Sequence, residues 1–223
     1  MTTRKPPEHG AAVLARLART NKEVRVMLKL GKQLFGAKEA EVYPLDFLAY
    51  AAIKRNIATA EAMSIIVATW NMSTARTLLR VHIDTSLRFS AAWLVDNPHD
   101  FASKVIAGAR IDKLKDKEGH YLRDARLVEV RSPDYPWLAD VYQRLSGYVH
   151  FSGAHFYDTV ESIDDGDINF DIRATDYKYP ESSWLEVLDC FSEVSSILGL
   201  YLRGYIETKA LSSDELARRK ADA

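Results

Sequence analysis

Cysteine is almost missing from this chain: among 223 residues there is only Cys190. One thiol makes neither an internal disulfide nor a Cys-rich zinc site, which excludes a disulfide-stapled secreted fold. The 10 glycines form no phosphate-cradling loop and no Gly-x-Ser-x-Gly elbow, so the usual signatures of nucleotide-loop and serine-hydrolase chemistry are missing. No long apolar run exists either. The longest uncharged stretch, residues 62–75, is broken by Ser64, Thr69, Asn71 and Ser73 and is too short to span a bilayer. The lead from Met1 to Pro7 runs into no apolar segment, so no signal peptide is expected. These absences together predict a soluble, cytoplasmic protein with no membrane association. Charge of one sign is lacking as well: 30 basic and 31 acidic residues leave a net of −1, which argues against coating nucleic acid by bulk electrostatics.

What is present is the material of a core. Apolar residues make up 47% and aromatics 10%, which excludes disorder for most of the chain. The length fits one large domain or two small ones. Charge is distributed unevenly. Residues 1–60 carry 11 Lys and Arg against 5 Asp and Glu, while residues 151–190 carry 2 against 10. Such polarity points to self-association or a basic surface at one end; two oppositely charged solvated faces are the plainer alternative.

Helical periodicity dominates the chain. Val13, Leu14, Leu17, Val24, Met27, Leu28 and Leu34 recur at helical spacing and predict a first helix ending near Gly36. Pro44 starts a second, to about Trp70. A third covers residues 73–95, with Leu79, Ile83, Leu87 and Leu94 on one stripe. Asn97-Pro98 reads as cap plus first-turn proline, opening a fourth over residues 98–116. Residues 115–136 are charged and turn-prone, with one short helical turn at 126–129. A fifth helix runs from Pro136-Trp137 to about Val149, bracketed by Gly147 and Gly153. Ile168, Phe170 and Ile172 alternate with polar residues, and Asp165-Gly166 supplies a turn, which predicts a hairpin near 158–173. A last helix, residues 181–208, buries Trp184, Leu188, Phe191, Leu198, Leu202 and Tyr205. Trp137 and Trp184 read as core anchors. The expected architecture is mainly α: about five to six helices with one small β-hairpin before the last long helix. The expected organisation is an N-terminal helical extension (1–43), a helical bundle (44–208) and a C-terminal tail (209–223) with a capping-box pattern at Ser212 and Glu215.

Two segments carry candidate chemistry. Tyr142, Ser146 and His150 stand at i, i+4 and i+8, stacking two hydroxyls and an imidazole along one helix face. A histidine at a helix C-terminus has its cation stabilised by the dipole. Equally, Ser146 could admit a neighbouring helix while His150 caps carbonyls. In the second segment, Arg76, Arg80, Asp84 and Arg88 follow at i+4. A semi-buried Arg80–Asp84 pair could offer a guanidinium to phosphate, or it could be an ordinary intrahelical salt bridge. His150, His155 and Asp158 straddle a helix end without a fourth ligand, so no metal is expected. Asp164-Asp165-Gly166-Asp167 is too short for a calcium loop. No cofactor motif is present.

Arg144, five intervening residues and His150 resemble the signature of the HEPN superfamily (higher eukaryotes and prokaryotes nucleotide-binding), which are small helical bundles. Arg4/His9 and Arg76/His82 have a comparable spacing, but only Arg144/His150 stands at a helix end. The wider pattern, Leu79-Arg80-x3-Asp84 followed by Tyr142-x2-Leu145-Ser146-x3-His150-x-Ser152, is similar to a group of uncharacterised prokaryotic helical proteins. The likeness spans about residues 44–205. It departs at Leu145, where many catalytic members have a polar residue. The resemblance implies a homodimer acting on RNA or a nucleotide, with metal-independent ribonuclease activity, an antitoxin-like protein partner and a prokaryotic defence or toxin–antitoxin setting. It implies that His150 moves protons and Arg144 stabilises transition-state charge. Arg80 and Asp84 would position phosphate, and Tyr142, Ser146 or Ser152 would supply hydrogen bonds. Many family members are thought to have lost catalysis, so a non-catalytic interaction or assembly module is the alternative. On one continuous helix a six-residue separation sets side chains about 120° apart. Arg144 and His150 therefore converge only if the helix breaks near Gly147 or a second protomer completes the site.

Overall fold

A computed structural model describes residues 7–36, 41–209 and 211. The tail pattern at Ser212 and Glu215, and Arg4 of the Arg4/His9 pair, lie outside these residues. Eight α-helices and one hairpin run in the order α1 (Ala11–Leu34), α2 (Pro44–Ala68), α3 (Met72–Ser90), α4 (Pro98–Ile106), α5 (Asp124–Arg131), α6 (Leu138–Val149), α7 (Gly153–Thr159), β1 (Val160–Asp164), β2 (Asp167–Phe170) and α8 (Glu181–Lys209) among the described residues. The mainly helical class with a hairpin before the last long helix agrees with expectation. The two additional helices, α5 and α7, are short.

Start signals are used as the sequence proposes. Pro44 opens α2, with the Asp46 carboxylate accepting from the Tyr43 backbone N–H at 2.8 Å. Asn97 accepts from the backbone N–H groups of His99 and Asp100 at 3.0 and 3.1 Å, with Pro98 in the first turn of α4. Asp165 and Gly166 both take positive φ, 48° and 92°, as the tight hairpin turn demands. Strands β1 and β2 pair antiparallel, Ile163 opposite Ile168 and Val160 opposite Phe170, with a bulge between Val160 and Ser162.

Boundaries differ in four places. The third helix stops at Ser90 and continues as a 3-10 turn over Ala91–Trp93, and the fourth ends at Ile106 with a separate 3-10 turn at Ile111–Lys113. The single turn expected at 126–129 is the two-turn α5, stabilised where Arg126 Nε bonds the buried Asp116 at 3.0 Å. Finally, the chain leaving α6 forms α7 instead of a loop. The Ser152 hydroxyl accepts from the Ala154 N–H at 3.3 Å and donates to the Gly147 carbonyl at 2.8 Å. A side chain at Gly147 would press on that hydroxyl at 3.1 Å, so glycine admits the close return of the chain.

The core lies where α2, α3 and α8 meet, walled by α1 and α6. Trp184, Leu188, Phe191, Leu198 and Leu202 on α8 are buried, together with Leu79 and Ile83 on α3. Trp137 packs at the edge of this cluster. Helix α1, within the segment the sequence sets apart as an extension, packs along α8 and α2 and adds Met27, Leu30 and Leu34 to the same core. Leu14 and Leu28, expected on its apolar face, are instead exposed. No helix among the described residues is long and apolar enough to cross a membrane.

Candidate functional site

Helix α6 positions most of the candidate residues, and α3 supplies its counter-surface. Arg80 projects from α3 into the contact and is only 6% exposed. Its guanidinium carbon lies 3.5 Å from the Tyr142 ring centroid, and it ion-pairs with Asp84 one turn on. The Tyr142 hydroxyl donates to the same Asp84 carboxylate at 3.2 Å. Asp124, at the start of α5, approaches Arg80 at 3.7 Å and binds Arg88 at 2.5 Å. Burial, followed by the neighbouring Asp84 charge, raises the Tyr142 pKa, so the phenol stays protonated. Arg80, Asp84 and Tyr142 thus form a closed clamp between helices. Arg80 is buried against a carboxylate and a ring face, with its Nε left without a hydrogen-bond partner among the described residues.

The remaining candidates do not share one pocket. Ser146 donates back to the Tyr142 carbonyl at 2.8 Å, an intrahelical bond that gives it no outside partner. Ser152 caps α7. Helix α6 runs unbroken through Gly147 to Val149, and His150 follows in extended conformation as its C-cap. The break needed to bring Arg144 round to His150 within one chain is therefore missing. Both residues are exposed. Arg144 bonds Asp140 at 2.9 Å and Glu186 of α8 at 3.5 Å. The His150 ring makes no hydrogen bond among the described residues.

Arg144 stands at the mouth of a cleft of about 310 Å³ between α3, α6 and α8, lined also by Arg76, Tyr148, Glu186 and Cys190; His150 does not line it. Burial pushes the Cys190 thiol up to about 12, so it carries almost no thiolate at neutral pH and is a poor nucleophile. Arg76 is held by the hydroxyls of Tyr148 and Tyr179, the latter at 3.2 Å, and Tyr179 donates to Asp158. This second clamp ties α3 and α6 to α7 and to the chain entering α8. Asp176 adds to it by accepting from the first N–H groups of α3, Met72 at 2.7 Å and Ser73 at 3.3 Å.

Three clusters escaped the sequence reading. His82, 1% exposed, stacks on Phe191 at 3.7 Å and bridges Thr59 and Ser195, each at 2.9 Å. Because Thr59 donates its own hydroxyl proton to backbone carbonyls, the network assigns the imidazole proton to Nδ1 and leaves Nε2 to accept from Ser195. Asp116, Glu118 and His120 bring ligand atoms within 4.8 Å of one another, but Arg126 already bonds both carboxylates, at 3.0 and 2.5 Å. The third is apolar. From Val149 to Ile172 the chain exposes Phe151 at 96%, Tyr157 at 74% and Ile172 at 92%, with Phe156, Ile163, Ile168 and Phe170 also open. The alternation that identifies the hairpin would ordinarily mark a core-facing side; here, among the described residues, nothing covers it. We refer to residues 149–172 as the arm.

Compared with known proteins, the chain matches no family model, no curated protein and no solved structure.

Proposed function

We propose that this chain is a non-catalytic helical assembly module whose arm is its docking surface. One observation carries the reading: a run of aromatic and aliphatic side chains, from Phe151 to Ile172, stands open on a base clamped by Arg76, Tyr148, Tyr179 and Asp158. Exposed apolar surface of this extent, rimmed by carboxylates, marks a contact with another macromolecule. The clamp keeps the arm from folding back and so lowers the ordering cost of binding. The candidate residues Arg80, Asp84, Tyr142, Ser146 and Ser152 serve in this reading to hold α6 and α7 in place. A photo-cross-linking side chain at Phe151, in the full chain, tests it. Specific adducts that vanish with Ile172→Ser are expected, and their absence both with the purified chain and with extract of the native cells sinks the reading.

A specific observation favours a second reading. Arg144 and His150 are the two members of the HEPN-like signature that the fold leaves exposed. A second copy could bring one protomer's His150 beside the other's Arg144, and metal-independent RNA cleavage would follow the resemblance, with the defence setting resting on that resemblance alone. RNA cleavage by wild type that is lost in both His150→Ala and Arg144→Ala would establish it; equal background cleavage in all three removes it.

A further inference from the structure

We infer that the occupant of the arm is the outer face of α1 of a second copy of this chain; this rests on the docking reading just given. Charge comes first. Residues 160–172 contain five carboxylates and no Lys or Arg; Arg173 pairs with Glu161 and Asp171 at 3.4 and 2.8 Å, which leaves Asp164, Asp165 and Asp167 at the hairpin turn without a cation among the described residues. Two arms laid edge to edge would set these against one another, so hairpin-to-hairpin pairing is disfavoured even though both strand edges are open. The surface that fits must be basic and must also offer apolar side chains to Phe151 and Ile172.

Helix α1 presents such a surface. Leu14, Ala18, Asn21, Arg25, Leu28 and Lys32 are all exposed, and their alternating spacing of four and three residues aligns them on one stripe. Lys22 and Lys29 flank it, also exposed. The stripe contains no acid, and Lys22, Arg25, Lys29 and Lys32 have no carboxylate partner within ion-pair distance among the described residues. Leu14 and Leu28 sit on this outer face at about half exposure, although the inner face of the same helix is buried against α8. Exposed Leu14 and Leu28 among unpaired cations on α1, and exposed apolar side chains among carboxylates on the arm, are complementary in both respects. Because the two surfaces differ, the contact closes with two-fold symmetry when two copies exchange arms reciprocally and propagates head-to-tail when they do not.

The test uses the purified full chain and its mass in solution across a concentration series. Wild type is expected to self-associate, with the dissociation constant rising about tenfold or more between low and high salt, since the charges meet at an accessible rim. Arg25→Glu with Lys29→Glu, and separately Asp164→Lys with Asp167→Lys, are expected to give monomers with unchanged helical content. Mixing the two reversed proteins should restore association, because reversed α1 then meets reversed arm. A wild-type chain that stays monomeric overturns the inference, as does association indifferent to the α1 reversal. Cross-linking from Phe151 separates the two levels: adducts with another protein but not with a second copy would leave the docking reading standing while this inference falls, and no adducts at all would remove both.

Discussion

The guanidinium of Arg80 covers the face of Tyr142 at 3.5 Å, while the Tyr142 hydroxyl reaches back to Asp84 at 3.2 Å, so one carboxylate serves both partners. The contact joins α3 to α6 and engages all three polar candidates with one another.

Arg80 should accordingly behave as a structural residue. Arg80→Ala strips the half-buried Asp84 of its partner, and leaving one member of such a pair unmatched costs about 3 kcal/mol. Arg80→Lys recovers only part of this, because an ammonium cannot match the ring face and the carboxylate together. Tyr142→Phe loses one hydrogen bond, about 1 kcal/mol. Urea denaturation of the three variants checks the order; an Arg80→Ala protein as stable as wild type would overturn the clamp.

His82 makes stability depend on pH. Desolvation by burial lowers its pKa from 6.5 to about 3, so the folded protein holds it neutral while the unfolded chain takes up a proton first. Its contribution is therefore complete above pH 6.5 and is lost as pH falls toward 3, with a limiting slope of about 1.4 kcal/mol per pH unit. Denaturation midpoints of wild type and His82→Gln measured from pH 7 to 4 isolate this share. The variant is less stable at pH 7, since the Thr59–Ser195 bridge is disturbed, and its stability declines less steeply on acidification. Parallel curves would show that His82 does not titrate as stated.

Asp46 is fully buried and accepts from the Tyr43 N–H, the Tyr205 hydroxyl and Lys209, at 2.8, 2.8 and 2.7 Å. It pins the start of α2 to the end of α8. Asp46→Ala is expected to lower stability by about 3–5 kcal/mol, as for a broken buried pair. Adding Lys209→Met should recover part of the loss by removing the orphaned cation. Thermal melts of the single and double variants read both effects.

Gly147→Ala tests the return of the chain into α7. The added methyl meets the Ser152 hydroxyl at 3.1 Å and Ala154 at 3.4 Å, so the cap must shift. Faster amide exchange confined to residues 150–160, with the α3–α8 core unchanged, is the expected outcome. Uniform loss of protection would mean that α7 is not a separable element.

Much of the secondary structure was legible because its signals are local. Asn97-Pro98 and Asp165-Gly166 act through their own backbones, and the α8 residues Trp184 through Tyr205 repeat at the helical period whatever lies opposite. Helix α7 was not legible: Gly147 and Gly153 read as an exit from helix, while the cap that starts α7 is a Ser152 hydroxyl whose partner carbonyl lies five residues back. The candidate site was legible only as a set of residues sharing faces. Tyr142 and Ser146 follow one another along α6 and His150 caps its end, yet the first is half-buried against Arg80, the second bonds its own helix and the third faces solvent.

By itself, then, the sequence determined a mainly helical chain with one hairpin, basic at its start and acidic near its hairpin, since periodicity, capping and charge are properties of neighbouring residues. Tertiary structure decided which polar groups are enclosed and which apolar ones are left open. Spacing tells which side chains share a face. Whether another element covers that face depends on partners such as Asp84 for Tyr142, or Asp158 for Tyr179, that lie 58 and 21 residues away.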